Sequence, residues 1–386
     1  MAARRSETRA VRAGVGVNRE YGSVIPPIHL SSTFSFKDLG EQRQYDYTRS
    51  GNPTRDILGQ ALAELEGGHD AVITSSGMAA VTTVLQLVGP DDLIVAPHDC
   101  YGGTHRLLTN WAHKGHFRLE LVDQTEQARL DEAFAKNPRL IWVETPSNPL
   151  LRVVDIVDIV ERAAAVGALV AVDNTFLSPA LQRPIELGAD LVVHSTTKYL
   201  NGHSDVVGGA VVARTAELAE DVAWWANALG VTGSPFDSFL TMRGVRTLHP
   251  RMKMHEVNAR AVVAALGEHP AVARVYHPSL KDHPGHEVAA SQQSGFGGMV
   301  SFELEGGIEA VRTFVKHLEL FTLAESLGGV ESLVCHPTTM THAAMDEEAR
   351  GVAGLGENLL RLSVGIEASE DLVADVTAAL DSVIPA

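Results

Sequence analysis

Two stretches decide the fold. One is Leu169-Val-Ala-Val-Asp173, which runs on into Asn174-Thr175. The other is Asp190-Leu-Val-Val-His-Ser-Thr-Thr-Lys-Tyr-Leu-Asn-Gly-His-Ser204. Each opens as a short apolar run and ends in polar residues. A run that is apolar at successive positions and too short for a helix reads as a strand buried on both faces. Similar runs lie at 71–74, 93–96, 118–122, 140–144 and 206–213, and helical patterns at 78–88 and 156–166 separate them. Gly167 follows the second helix as a stop signal. Strands that alternate with helices in this way predict an α/β domain with a mainly parallel sheet between helices.

Outward from this centre the texture changes twice. Residues 1–55 are polar and punctuated by Gly14, Gly16, Gly22, Pro26, Pro27, Gly40, Gly51 and Pro53, without helical periodicity. Such an arm has no core of its own and must lie on another surface, that of a neighbouring subunit included. Thr54 then offers a cap to a helix whose Leu58, Ala61, Leu62 and Leu65 share one face, and Gly67-Gly68 end it. Beyond residue 250 the pattern is a long helix at 251–267, an apolar run at 299–304, a helix at 308–318, a Gly328-Gly329 loop, a run at 359–364 and a terminal helix from Ser369. The expected division is an arm over 1–55, an α/β domain over 56–250 and a smaller α+β domain over 251–386.

Composition limits the function. The chain has 386 residues, 45% of them hydrophobic and 20% charged, so it has apolar surface enough for a packed core. Its formal net charge of −17 repels nucleic-acid phosphates and anionic lipid surfaces, which argues against both as partners. Two cysteines, Cys100 and Cys335, cannot make a disulfide scaffold or a four-thiolate zinc site and read as reduced thiols. The arginines near the N-terminus have no apolar segment behind them, so no signal peptide is read there. No apolar run approaches the roughly 20 residues a spanning helix needs. The expectation is a cytoplasmic protein.

Several phosphate and nucleophile motifs fail. No Gly-x-x-x-x-Gly-Lys-Ser/Thr loop and no Gly-x-Ser-x-Gly elbow is present. The dinucleotide fingerprint breaks at Arg19 after Gly14-Val15-Gly16, and at Leu359 after Gly354-Leu355-Gly356. His283-Pro284-Gly285-His286-Glu287 has two histidines, but Pro-Gly between them breaks the helix such a metal motif needs, so no metal is expected.

The chemistry concentrates at Lys198, one of only seven lysines. It follows an apolar strand, with the hydroxyls of Ser195 and Thr197 beside it. Asp173 closes the preceding strand. Ligands of parallel sheets bind beyond the carboxyl ends of the strands, so both residues can face one crevice. Pyridoxal phosphate needs this pair: a lysine to form an imine with its aldehyde, and a carboxylate to keep its ring nitrogen protonated. Ser76-Gly77 follows a strand and opens a helix, whose free N–H groups suit a phosphate. Ser195 and Thr197 add hydroxyl donors. Tyr101, in Cys100-Tyr-Gly-Gly103, follows another strand and can stack on a pyridine ring.

The 190–204 stretch resembles the Schiff-base signature of the Cys/Met-metabolism family of pyridoxal-phosphate enzymes. The resemblance runs from Thr8-Arg9 to about Asp371 and includes the blocks Val24-Ile-Pro-Pro-Ile-His-Leu-Ser-Ser-Thr33, Ala96-Pro-His-Asp-Cys-Tyr-Gly-Gly103, Pro146-Ser-Asn-Pro-Leu-Leu-Arg-Val-Val-Asp-Ile156 and Thr339-Met-Thr-His-Ala343. It implies fold type I, as in aspartate aminotransferase, and a homotetramer built from dimers that share active sites. It implies Lys198 as the imine lysine, Asp173 as the ring-nitrogen partner and Tyr101 as the stacking ring. Ser76, Gly77, Met78, Ser195 and Thr197 then surround the phosphate, which Tyr47 and Arg49 of a neighbouring subunit also reach, and Asn148 flanks the cofactor. Arg361 matches the clamp on the substrate α-carboxylate. Glu325 and Ser326 line the substrate site, Glu325 meeting the distal amino group of cysteine or cystathionine. Arg106 is matched to an acyl carboxylate and Asp46 to incoming cysteine.

The activity so implied is γ-replacement. An O-succinyl- or O-acetylhomoserine exchanges its acyloxy group for cysteine sulfur and gives cystathionine. Lys198 serves as the base and Tyr101 assists with protons. Alternatives within the family are γ-elimination of cystathionine and sulfhydrylation with inorganic sulfide. Outside it stands a non-catalytic α/β binding protein, which has no need of Lys198 and Asp173 together.

Overall fold

The computed structural model describes residues 4–343 and 347–384. They fall into two compact units, one drawn from Met1–Val88 and Ala171–His249, the other from Gly89–Val170 and Pro250–Ala386. In chain order the strands are β1 (Asp70–Thr74), β2 (Leu93–Pro97), β3 (Arg118–Val122), β4 (Leu140–Glu144), β5 (Leu169–Asp173), β6 (Leu191–His194), β7 (Gly209–Ala213), β8 (Val272–Tyr276), β9 (Met299–Leu304), β10 (Thr322–Leu323), β11 (Leu333–Cys335) and β12 (Leu359–Ser363). Four helices position the site residues: α1 (Ser6–Val11), α2 (Pro53–Glu66), α3 (Gly77–Val84) and α4 (Gly102–His113).

In the first unit the strands lie in the order β1-β7-β6-β5. β5 and β6 are parallel, with Asp173 opposite Val193, whereas β7 runs antiparallel to both β6 and β1. The apolar run read as a strand from residue 206 becomes one only at Gly209. Its first residues are held as a loop, because Gly208 N–H donates to the Thr197 hydroxyl over 3.0 Å. β6, apolar up to His194, is buried along its whole length, as a strand covered on both faces must be.

Helix α2 begins one turn detail away from the expectation. Its cap is Asn52, not Thr54: the Asn52 side chain accepts from the N–H groups of Thr54 and Arg55, and Pro53 fills the first helical position without needing a partner. The Thr54 hydroxyl instead accepts the His29 N–H over 2.9 Å and fastens the arm. Gly67, at φ +81°, closes the helix in the left-handed conformation that glycine adopts without steric cost. The arm also carries α1, which is too short for periodicity to reveal, and Arg9 on it donates to the Glu64 carbonyl.

The second unit has a parallel set in the order β4-β2-β3 and an antiparallel-dominated sheet in the order β10-β11-β12-β9-β8. On β12 the period of two sends Leu360 and Leu362 into a core with Phe302, Phe314 and Val376, and leaves Arg361 on the opposite face. The long helix expected from residue 251 spans Leu248–Glu268, with Pro250 tolerated in its first turn, and the terminal helix is Ser369–Asp381. No described helix is long and apolar enough to cross a membrane.

Candidate active site

The first unit brings together the lysine, the carboxylate and the helix start. β5 ends on Asp173 and its neighbour β6 ends on His194, four residues before Lys198. The two exits are tied, since Ser195 N–H donates to the Thr175 hydroxyl over 2.9 Å. Lys198 lies in a run of turns, its N–H bonded to the Ser195 carbonyl and its carbonyl to the Gly202 N–H over 2.8 Å, and its side chain is half-buried. Asp173 Oδ1 accepts the Thr175 N–H over 3.0 Å. Burial pushes the Asp173 carboxyl up, against the hydrogen bonds of Thr175 and the charge at His194, which favour its ionised form. An ionised carboxylate in that setting calls for a cationic N–H.

Helix α3 supplies an anion seat. The Ser76 hydroxyl caps it by accepting the Ala79 N–H over 3.0 Å, and the amides of Gly77 and Met78 are first-turn donors with no carbonyl of the helix to serve. Gly77 is there for space: a Cβ on it falls 2.7 Å from the Ser195 Cβ and 3.0 Å from the Ser195 hydroxyl. The helix start, Ser195 and the Thr197 loop therefore converge. Lysine, half-buried carboxylate, free helix amides and hydroxyls together form the donor set that pyridoxal phosphate requires. On the arm, Arg49 lies over the Tyr47 ring at 5.7 Å and donates to the Asn227 carbonyl and side chain. Both side chains are exposed on the single chain. Asp46 accepts from Ser50, Gln42 and the Tyr47 N–H, and these contacts lower its pKa, led by the Ser50 hydroxyl. Its carboxylate organises the turn that presents Tyr47 and Arg49.

The second unit holds another group of the expected residues. Arg361 is 2% exposed, donates to Asn148 Oδ1 over 2.7 Å and to the Ser326 carbonyl over 3.0 Å, and leaves its Nε buried without a partner. A buried guanidinium edge with an unmet donor suits a carboxylate. Ser326 sits at φ +95°, a left-handed conformation rare for a residue with a side chain, and this is the residue whose carbonyl Arg361 takes. Tyr101, 41% exposed, precedes α4. Burial raises its phenol pKa, Glu325 and Glu144 add to the rise, and Arg106 and Arg361 oppose it. Tyr101, Glu325, Arg106 and Arg361 thus share one electrostatic neighbourhood.

Three residues escaped the sequence reading. Glu144 closes β4 as Asp173 closes β5, so the rule that singled out Asp173 was available for it. His342 lies with Nε2 3.1 Å from the Asn148 carbonyl, its pKa pushed down to about 4 by burial and then by Arg361. His194, with Nε2 2.6 Å from Glu66 Oε1, makes a wholly buried pair behind the β6 exit. Nothing in the local sequence joins residues 66 and 194.

A carboxylate at the end of β5, a lysine in the turns after neighbouring β6 and a helix start tied to the same loop are the residue types that an α/β pyridoxal-phosphate enzyme uses. A family model described as Cys/Met metabolism PLP-dependent enzyme matches residues 7–381. The chain belongs to that family, and the enzyme is pyridoxal-phosphate-dependent and acts on small amino-acid substrates. It is 57% identical to cystathionine gamma-synthase of Escherichia coli over 97% of both chains. It is 47% identical to cystathionine beta-lyase of Lactococcus lactis subsp. cremoris, over 97% of this chain and 98% of that one. The solved structure of cystathionine gamma synthase from Xanthomonas oryzae pv. oryzae, in complex with aminoacrylate and cysteine, superposes with a TM-score of 0.98 at 60% identity over 99% of both chains. The expected fold, a mainly parallel α/β transferase of fold type I, is the fold found.

Proposed function

We propose that this chain joins an O-acylhomoserine to L-cysteine by γ-replacement and releases cystathionine and the carboxylic acid. The observation that carries the reading is Asp173 at the end of β5 with Lys198 in the turns that follow neighbouring β6, in a chain with 57% identity to a gamma-synthase. Bound pyridoxal phosphate supplies an aldehyde that links to amines and a ring that accepts electrons from a carbanion. Asp173 holds a proton on the ring nitrogen. Amides of Gly77 and Met78, with Ser76, Ser195 and Thr197, would hold the phosphate, and Tyr101 and Asn148 would meet the ring. Arg361 grips the substrate α-carboxylate.

Lys198 Nζ would take the Cα proton and, once it has handed that proton on and is a free amine again, its long stem would let it reach the Cβ proton. The Cγ–O bond would break and the acyl carboxylate leave, cysteine sulfur would bond to Cγ as its thiol proton is lost to balance the departing carboxylate, and the two carbon-bound protons would be returned to Cβ and Cα. Glu325 and Ser326 line the path of the second amino acid, Glu325 facing its amino group. Arg106 meets an acyl carboxylate, and Asp46 borders the entry of cysteine. Residues 1–55 act as an arm that sends Tyr47 and Arg49 to the phosphate of a neighbouring subunit in a cytoplasmic homotetramer, with 56–250 and 251–386 as the two domains behind it.

Incubation with O-succinylhomoserine or O-acetylhomoserine plus cysteine yields cystathionine, detected by mass spectrometry. Omitting cysteine leaves only slower elimination to a 2-oxo acid. The competing reading is γ-elimination, favoured by relatives named gamma-lyase at 43–44% identity. Faster release of 2-oxobutanoate from cystathionine than formation of cystathionine would establish it.

Arg361→Lys keeps the charge but loses the fork. KM for the homoserine ester rises by about 10–100-fold, the scale of losing charge-assisted hydrogen bonds, while cofactor affinity stays unchanged. Steady-state kinetics and cofactor titration of the apoenzyme read the two effects separately. An unchanged KM removes Arg361 from the substrate site.

A further inference from the structure

We propose that Glu144 is a positioning residue of this site, fixing Tyr101 and Asn148 to one carboxylate. The inference rests on the reading that Tyr101 and Asn148 face the cofactor. Glu144 is the last residue of β4 and is 5% exposed. Its Oε2 accepts the Tyr101 N–H over 2.8 Å, and its Oε1 accepts the Asn148 N–H over 3.2 Å. The two bonds reach 43 residues back along the chain and four residues ahead.

Each bond holds the backbone N–H of one of these two residues. Tyr101 stands at the start of α4, where no side chain caps the helix, and an anion at that end is favoured by the helix dipole. Ring placement over a cofactor depends on where this backbone starts. At the other end, the Asn148 backbone is held on both sides, its N–H by Glu144 and its carbonyl by His342. The Asn148 side chain in turn orients Arg361. Glu144 therefore connects, through backbone bonds and not by touching substrate, the stacking ring to the carboxylate clamp. Its charge also contributes to the raised Tyr101 pKa, after burial and Glu325. Gly102 tightens the same corner, since a Cβ there falls 2.6 Å from the Thr341 carbonyl, next to His342.

The test uses Glu144→Gln in the full-length holoenzyme. The amide keeps one acceptor oxygen and turns an NH2 donor toward the other N–H, so only one of the two points stays anchored. Expected are a reduced visible circular dichroism of the bound cofactor, cofactor affinity about tenfold weaker, and a higher KM for the ester, with the melting curve nearly unchanged. Combined with Tyr101→Ala, the loss in cofactor affinity falls short of the product of the single losses by about fivefold or more, because residues acting through one contact are not additive. Glu144→Asp, one methylene shorter, reproduces the spectroscopic change if the Gln variant fails to fold. Fully multiplicative losses, or unaltered cofactor dichroism and affinity in a folded Glu144 variant, overturn the positioning role. Tyr101→Ala with unaltered dichroism instead overturns the underlying placement of Tyr101.

Discussion

Lys198→Ala lowers turnover by about 10⁴-fold or more while the protein still folds. The magnitude follows from what the residue does: a positioned general base alone contributes 10²–10⁴-fold, and the same amine also anchors the cofactor covalently. Folding survives because the side chain is only half-buried and the turn is held by its backbone bonds to Ser195 and Gly202. Borohydride treatment of the wild type, followed by digestion and mass spectrometry, places the pyridoxyl adduct on the peptide containing Lys198, and with seven lysines in the chain the assignment is unambiguous. The variant gives no adduct, and small primary amines added to the medium restore part of its proton transfer. An adduct at another lysine, or near-normal turnover in Lys198→Ala, removes the foundation of the proposed function.

The fold was legible wherever the pattern was local. The apolar runs that open β4, β5 and β6 needed no partner to be recognised, and the carboxylate that ends β5 and the lysine beyond β6 were visible because polar residues stop an apolar run abruptly. What escaped was set by contacts between distant residues. The direction of β7 was hidden, since a five-residue apolar strand, Gly209–Ala213, carries no local mark of which way its neighbours run, and its start lies just after the Gly208 bond to Thr197, 11 residues back. Asn52 lost the cap position to Thr54 in the sequence reading because both are good caps, and the choice turns on Pro53 and on His29, which claims the Thr54 hydroxyl. Helix α4 was missed for a similar reason: it opens Gly102-Gly103, residues that usually end helices, and starts on Tyr101, which is fixed by Glu144. Arg361 was visible only through family resemblance. Its burial follows from strand alternation combined with the Asn148 and Ser326 contacts, which span 213 and 35 residues.

Asp173→Asn separates the cost of a half-buried carboxylate from its use. In the cofactor-free protein, burial raises the Asp173 pKa above the unfolded 3.8. A carboxyl whose folded pKa is raised favours the folded state below the unfolded pKa and loses that contribution as pH climbs through the folded value. At neutral pH the ionised group therefore weakens the apoenzyme. Asparagine keeps an oxygen for the Thr175 N–H, removes the charge, and no longer titrates. The apo variant thus melts at a higher temperature than the apo wild type at pH 7, and the difference shrinks toward pH 4. Activity moves the other way. Without an anion facing it, the ring nitrogen loses its proton and the electron sink weakens, so turnover falls by about 10²–10⁴-fold, as for other groups that hold a proton in place. Cofactor binding also stabilises the variant less than the wild type, because stabilisation by a ligand follows its affinity. Scanning calorimetry of apo and loaded forms across pH, alongside steady-state assays, gives both signs at once. An apo variant that is less stable at every pH shows that the Asp173 charge is matched inside the protein itself, and an active variant shows that the ring proton does not depend on it.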